Sequence, residues 1–329
     1  MKKILFFTLL SAFISCTQNI ENEFVLKGKT SNLPNDTWLY LNDTSKEVIL
    51  DSAKVLNNSF QFKTKIDSLP TRVIIHDKTY KNYNFLWLDN YNMSFDASNS
   101  TFKEAIISGE LNKLAHELSN SLKDKSRKES LRIEQKFVER NPNSIISASI
   151  LSTYKTTFKK DDVQELFDNF SEENKESVYG KSVAQFLELN NGEINIGDSF
   201  VDFEMKDVNG NLLKLSNFKS KYTLLEFWAS NCGPCRQENP NLVKTYNQFK
   251  PKGFEIFAVS DDVKKENWLK AIKNDKLPWI NVSDLNKNNR ASMIYGINGI
   301  PDNFLIDEKG IIIGRNLRGE QLNSRLKEL

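Results

Sequence analysis

The chain has 329 residues, longer than one typical domain of roughly 100 to 200 residues, so two or three folded units are expected. Its 45 Lys and Arg nearly balance 43 Asp and Glu, and no segment forms a long basic arm, which removes the electrostatic motive for nucleic-acid binding. The mixed run Lys123-Asp124-Lys125-Ser126-Arg127-Lys128 reads as a solvated helix face or loop, not a docking patch.

Lys2 and Lys3 precede an apolar stretch from Ile4 to Ile14, closed by Ser15-Cys16. This pattern predicts a secretion signal; the apolar part is shorter than the about 20 residues that span a membrane, so removal is expected. Phe13-Ile14-Ser15-Cys16 resembles the lipobox of bacterial lipoproteins, with Phe13 in place of the usual leucine. That resemblance implies segment 1–16 as a lipoprotein signal peptide with Cys16 as the acylated residue; the other reading is an ordinary signal peptide with an incidental cysteine. Several acyl chains give a durable membrane anchor. The chain has three cysteines, so lipidation of Cys16 leaves Cys232 and Cys235 for redox work and none for structural disulfides.

Residues 20–108 contain short alternating runs, FVLKG, TWLYL, EVILDS, SFQFKT, RVIIHD, FLWLDN and MSFDAS, separated by Asn, Asp, Pro and Ser turns. They predict an antiparallel β-rich domain, a small sandwich or open barrel. His76 lies in one of these runs without a second histidine or cysteine nearby, which favours a packed or surface histidine over a metal ligand. From 109 to 192, Leu111, Leu114, Ala115, Leu118 and Leu122 recur at helical spacing, and further amphipathic stretches at 163–170 and 182–189 lead to the breaker Asn190-Asn191-Gly192. This segment is expected to be a helical connector, with His116 in a structural role. Residues 193–329 form an α/β pattern: a buried strand at 222–228, a helix from Cys232 to about Phe249, a buried strand at 254–260, a helix at 264–273, a hairpin turning at Asp307-Glu308-Lys309-Gly310, and a closing helix at 320–329. The first three make a right-handed βαβ unit.

The pair Cys232-Gly233-Pro234-Cys235 falls between a buried strand and a helix start. There the first sulfur meets unpaired backbone N–H groups and the positive end of the helix dipole, which favours a thiolate. Cys232 is therefore the expected nucleophile, and Cys235, one turn further in, the thiol that resolves its mixed disulfide. A zinc site lacks two further ligands, because Cys16, His76 and His116 stand apart in the sequence; no metal and no cofactor beyond the redox-active disulfide is expected.

The stretch LLEFWASNCGPCRQENP, including Glu226-Phe227-Trp228-Ala229 and Pro240 five positions past Cys235, resembles the thioredoxin superfamily, specifically the TlpA-like anchored thiol-disulfide oxidoreductases. The resemblance covers residues 193–329, and the front half looks like that of long lipoprotein members. It implies a thioredoxin-like fold and gives Glu226 the place of the buried acid that takes the proton from Cys235; on the residues alone Glu226 could be a structural buried acid, longer than the aspartate of the best-known thioredoxins. Glu238 matches a second acid of some members, for proton transfer, or else is a carboxylate favoured by the helix dipole. Pro301 takes the place of the cis-proline facing the cysteines, with Ile300 exposing backbone for pairing with substrate; alone it could simply start a strand. Trp228, Gly233, Pro234 and Ile300 are the implied substrate-binding surface. Asn231, where many relatives have tryptophan, points to a different substrate preference.

The Gly-Pro spacer resembles that of reducing thioredoxins, with potentials near about −270 mV, so the resemblance implies a disulfide reductase acting on protein substrates in the cell envelope, periplasmic or surface-facing, and fed by a membrane thiol-electron transporter. Two other readings stay open: a thiol peroxidase of the same fold, against which the second cysteine argues, and a partner-binding lipoprotein with an accessory redox domain.

Overall fold

The computed structural model describes residues 23–329 apart from Glu47 and Lys219. The expected signal segment and Cys16 lie outside the described residues. By internal contacts the chain divides after Lys123 into two units.

The first unit contains β1 (Glu23–Thr30), β2 (Trp38–Asp43), β3 (Val48–Lys54), β4 (Ser59–Lys65), β5 (Thr71–Asp77), β6 (Tyr83–Leu88), β7 (Asn92–Ala97), the short β8 (Ile106–Ile107) and α1 (Glu110–Leu122). They form two four-stranded sheets, ordered β4-β1-β7-β8 and β3-β2-β5-β6. Alternation buries one face of each: Phe24, Leu26, Phe60, Phe62 and Phe95 from the first sheet share one cluster with Leu39, Leu41, Val73, Ile75 and Leu86 from the second. The expected sandwich is observed. One pairing departs from the antiparallel pattern, since β1 and β7 run parallel. A parallel pair needs a long crossover, and here the whole second sheet supplies it between them, a connection that side-chain alternation does not encode. Gly28 on β1 lies opposite Phe60 on β4, and a methyl group there would sit 2.0 Å from the Phe60 ring. Gly28→Ala is accordingly expected to cost about 1 to 3 kcal/mol through overpacking, measured by urea denaturation of the full chain.

The helical run expected as one connector is divided between the units. α1 belongs to the first because Asn112 reaches the backbone of β6, accepting from the Trp87 N–H at 2.8 Å and donating to the Trp87 carbonyl at 2.8 Å. Leucine spacing announces a helix but not which neighbour it joins. His76 is buried, with its ring stacked on Tyr80 at 3.9 Å and near Tyr40 at 5.6 Å. Such packing suits the structural histidine.

The second unit begins with α2 (Arg127–Arg140), entered through a capping box of Ser126 and Glu129, and continues with α3 (Ile145–Tyr154), α4 (Lys160–Asp168), α5 (Glu172–Glu176) and α6 (Val178–Leu189). A hairpin follows, β9 (Glu204–Lys206) and β10 (Leu212–Lys214), then β11 (Tyr222–Trp228), α7 (Gly233–Phe249), β12 (Phe254–Ser260), α8 (Lys265–Asp275), β13 (Ile280–Val282), α9 (Arg290–Ile294), β14 (Asp302–Asp307), β15 (Ile312–Arg315) and α10 (Glu320–Glu328). Five strands make one sheet in the order β13-β12-β11-β14-β15, with β11 and β12 parallel and β11 and β14 antiparallel. The hairpin, β13 and α9 are three to five residues per element and too short for periodicity to reveal. Asn190, expected only as a breaker, is a buried tie: its side-chain amide donates to the carbonyls of Met293 and Ile294 at 3.1 and 3.2 Å, joining the end of α6 to the end of α9.

The central strand β11 is buried on both faces and sorts its side chains by period two. Leu224 and Trp228 pack with Cys232, Cys235 and the inner face of α7, whereas Leu225 and Phe227 pack with Phe257, Phe304 and Tyr295 on the other side. Glu226 has the parity of Leu224 and Trp228. It is therefore aimed into the layer that holds the cysteines.

Candidate active site

Strand β11 ends at Trp228, and the chain turns through Ala229, Ser230 and Asn231 to Cys232, the N-cap of α7. The turn is clamped from two sides. Asp262, just past β12, accepts from the Ser230 N–H at 2.8 Å and from its hydroxyl. Arg236 on α7 donates to the Ser230 carbonyl at 3.0 Å while held by Asp275 through Nε at 2.5 Å and Nη2 at 2.7 Å. Such a paired guanidinium is geometrically fixed. None of these four residues was identified from the sequence; the Asp pair directly after a parallel strand, at the sheet edge where α7 also begins, was the available signal.

Cys232 and Cys235 form a disulfide with S–S 1.99 Å and Cα–Cα 5.3 Å. The two sulfurs are unequal. Cys232 keeps 9 % of its surface exposed against 1 % for Cys235. Its Sγ lies 3.2 Å from the Cys235 N–H, the helix-terminal donor expected to stabilise a thiolate once the bond opens. Gly233 and Pro234 are exposed beside it, with proline in the first turn of α7, where its missing N–H costs nothing.

Across from α7, the Ile300-Pro301 peptide is cis, and the Ile300 carbonyl stands 3.7 Å from Cys232 Sγ. Pro301 is buried and leads directly into β14, so both readings of it, cis residue and strand start, describe the same position. Trp228 requires a correction. Only 1 % exposed, with its indole N–H donated to Asn281 Oδ1 at 3.1 Å, it is a floor of the site and presents no surface to a substrate. Its hydrophobic bulk and single N–H are both consumed inside the core.

Glu226 is 3 % exposed, and its Oε2 has no hydrogen-bond partner among the described residues. Burial pushes its carboxyl up to about 8, against the pull of the Asn303 side chain and the charge of Arg318, and with a further push from Glu238 and Asp302. A carboxyl in that range can exchange a proton with a thiol near neutral pH. Glu238, half-buried on α7, accepts from the Gly319 N–H at 2.9 Å and from the Asn241 side chain at 3.3 Å. It thus joins α7 to the start of α10, a role neither sequence reading described, and its charge also acts on Glu226. Among the described residues there is no group of three or more His, Cys, Asp or Glu placed to hold a metal ion.

A buried parallel strand, a cysteine pair at a helix N-cap whose first sulfur is the less buried, and a facing cis-proline define a thioredoxin-like redox domain. Residues 196–315 match the AhpC/TSA family, and residues 24–113 match a domain of unknown function, DUF4369. The chain is 32 % identical over 139 residues to the thiol-disulfide oxidoreductase ResA of Bacillus thuringiensis subsp. konkukian, spanning 41 % of this chain and 77 % of that protein. It is 30 % identical over 123 residues to ResA of Bacillus subtilis, spanning 36 % and 66 %. Among solved structures, the thioredoxin domain of a thiol-disulfide oxidoreductase from Bacteroides vulgatus is 38 % identical, covers 41 % of this chain and 98 % of its own, and superposes with a TM-score of 0.39. A thiol:disulfide interchange protein from Bacteroides sp. is also 38 % identical, covering 41 % and 90 %, with a TM-score of 0.39. The chain belongs to the ResA-type thiol-disulfide oxidoreductases, consistent with the TlpA-like resemblance of its sequence.

Proposed function

We propose that this thiol-disulfide oxidoreductase reduces protein disulfides through the Cys232-Gly233-Pro234-Cys235 pair, in the cell envelope, held at a membrane surface by an acylated Cys16. The observation that carries the chemistry is the unequal pair: Cys232, at the helix N-cap beside the Ile300 carbonyl, keeps 9 % of its surface exposed, and Cys235 only 1 %. Cys232 thiolate attacks the substrate disulfide, and one substrate thiolate leaves. Cys235 gives its proton to Glu226 and attacks Cys232 Sγ, releasing the second substrate thiol and closing the Cys232–Cys235 bond. Two electrons pass from the dithiol to the substrate, and a membrane thiol-electron transporter returns them. Ile300 offers backbone for strand-like pairing with the substrate segment, and Gly233 and Pro234 supply exposed surface next to the nucleophile. Glu238, half-buried and electrostatically coupled to Glu226, passes the proton outward.

Export and anchoring rest on Lys2, Lys3, the apolar run and Phe13-Ile14-Ser15-Cys16. Among the described residues no helix is long and apolar enough to cross a membrane. The reductive direction rests on the Gly-Pro spacer. Equilibrating the protein in dithiothreitol buffers and quantifying alkylated thiols by mass spectrometry is expected to give a potential near about −270 mV; a value above about −150 mV would place the pair among oxidants.

A further inference from the structure

The segment between β15 and α10 carries no chemistry in the cycle above, yet it touches each part of the site. Asn303, two residues past Pro301, holds its backbone: Asn303 Oδ1 accepts from the Leu317 N–H at 2.9 Å, its Nδ2 donates to the Leu317 carbonyl at 2.9 Å, and its own carbonyl accepts from the Asn316 N–H at 2.8 Å. The next residue, Arg318, sends Nη2 back to the carbonyl of Pro301 and to Asn316 Oδ1. The residue after that, Gly319, donates its N–H to Glu238. Among the described residues, Arg318 Nε and Glu226 Oε2 are buried in this region without hydrogen-bond partners. An unpartnered buried donor and an unpartnered buried carboxyl oxygen are each costly, and the charge of Arg318 favours the ionised form of Glu226.

We propose that Arg318 is a positioning residue for the resolving step, fixing the Pro301 carbonyl with one arm of its guanidinium and holding Glu226 available as a carboxylate with its charge. The inference rests on Glu226 serving as the base for Cys235. The charged groups acting on Glu226 are Arg318, which favours the carboxylate, and Glu238 and Asp302, which oppose it. Asp302 is itself committed to Arg315 at 3.1 Å, and Glu238 to Gly319. Among the described residues Arg318 is therefore the one charged group that favours the ionised base, acting beside the Asn303 hydrogen bond and against burial. In the resolving step the carboxylate takes the Cys235 proton, the Cys235–Cys232 bond forms, the Cys232–substrate bond breaks, and the departing substrate thiolate is protonated. Without Arg318 a smaller fraction of Glu226 is ionised when the first of these transfers begins.

The test is the pH profile of insulin-disulfide reduction by the full chain. In Arg318→Gln the acidic limb is expected to move to higher pH by about one to two units, with rates well above the limb retained; Arg318→Lys, which keeps the charge, is expected to leave the limb in place. In a Glu226→Gln background the Arg318→Gln substitution is expected to shift nothing further. An unshifted limb in folded Arg318→Gln, or the same change with and without Glu226, overturns the proposal. If Arg318→Gln alone fails to fold, the proposal requires the double variant with Glu226→Gln to regain folding, and a double variant that also fails overturns it. A wild-type protein without Cys232-dependent insulin reduction refutes the reductase reading itself, a result distinct from any of these.

Discussion

Reduced Cys235→Ala, mixed with a disulfide-bonded protein, is expected to accumulate as a covalent adduct on Cys232 and to lose steady-state turnover by roughly 10³-fold or more. The first attack survives because everything that activates Cys232 remains: its N-cap position, the backbone N–H at 3.2 Å and the 9 % of its surface left exposed. The second cannot occur, since the sequence has three cysteines and the remaining one, Cys16, lies 216 positions before the nucleophile in the expected lipidation segment. Cys232→Ser is expected to abolish both adduct and turnover. Non-reducing electrophoresis with mass spectrometry of the linked peptides checks this. Adducts on Cys235 in the Cys232→Ser variant at comparable yield would refute the asymmetry, because that sulfur is 1 % exposed.

Glu226→Gln is expected to stabilise the oxidised protein in alkali while slowing the enzyme. The carboxyl has an ordinary value of 4.5 and is pushed up to about 8 in the fold by burial. Between those values the folded state keeps a proton that the unfolded state has released, so stability falls as pH rises from 4.5 to about 8 and is level beyond. At about 1.4 kcal/mol per unit, the buried charge costs on the order of 5 kcal/mol at alkaline pH. A carboxamide carries no such charge. Urea denaturation is expected to show the two proteins alike near pH 4.5 and the variant more stable by a few kcal/mol at pH 8.5. Loss of a positioned base should meanwhile slow disulfide reduction by about 10²- to 10⁴-fold. Stability bought at the expense of rate is the mark of a strained functional group. A variant with unchanged pH slope would show that Glu226 is not the buried acid of the site.

Much of this site is legible in the sequence because its parts follow from local rules. The run Tyr222 to Trp228 reads as a buried strand, the pair at 232 and 235 reads as a helix start, and period two alone places Glu226 on the same face as Trp228. The cis state of Ile300-Pro301 came from resemblance, since spacing does not encode isomer. What could not be read are the ties between distant segments. Asp262 on Ser230, Asp275 on Arg236 and Arg318 on Pro301 join residues 17 to 39 positions apart, and a lone Asp or Arg at a strand or loop end looks the same whether it is solvated or clamped. Trp228 was misread for a related reason: an aromatic next to a motif can line a groove or floor it, and only Asn281, 53 residues away, settles which. In the first unit, strand positions were readable from alternation, while the parallel β1–β7 pairing and the capture of α1 by Trp87 depend on contacts that alternation leaves open.

The most direct test is to give the purified wild-type protein insulin disulfides with dithiothreitol, and hydrogen peroxide in a parallel reaction, each beside Cys232→Ser. Insulin reduction that disappears in Cys232→Ser, with little peroxide consumed, is the expected result. Peroxide turnover without insulin reduction, or insulin reduction that persists without Cys232, would contradict a disulfide reductase built on this cysteine pair.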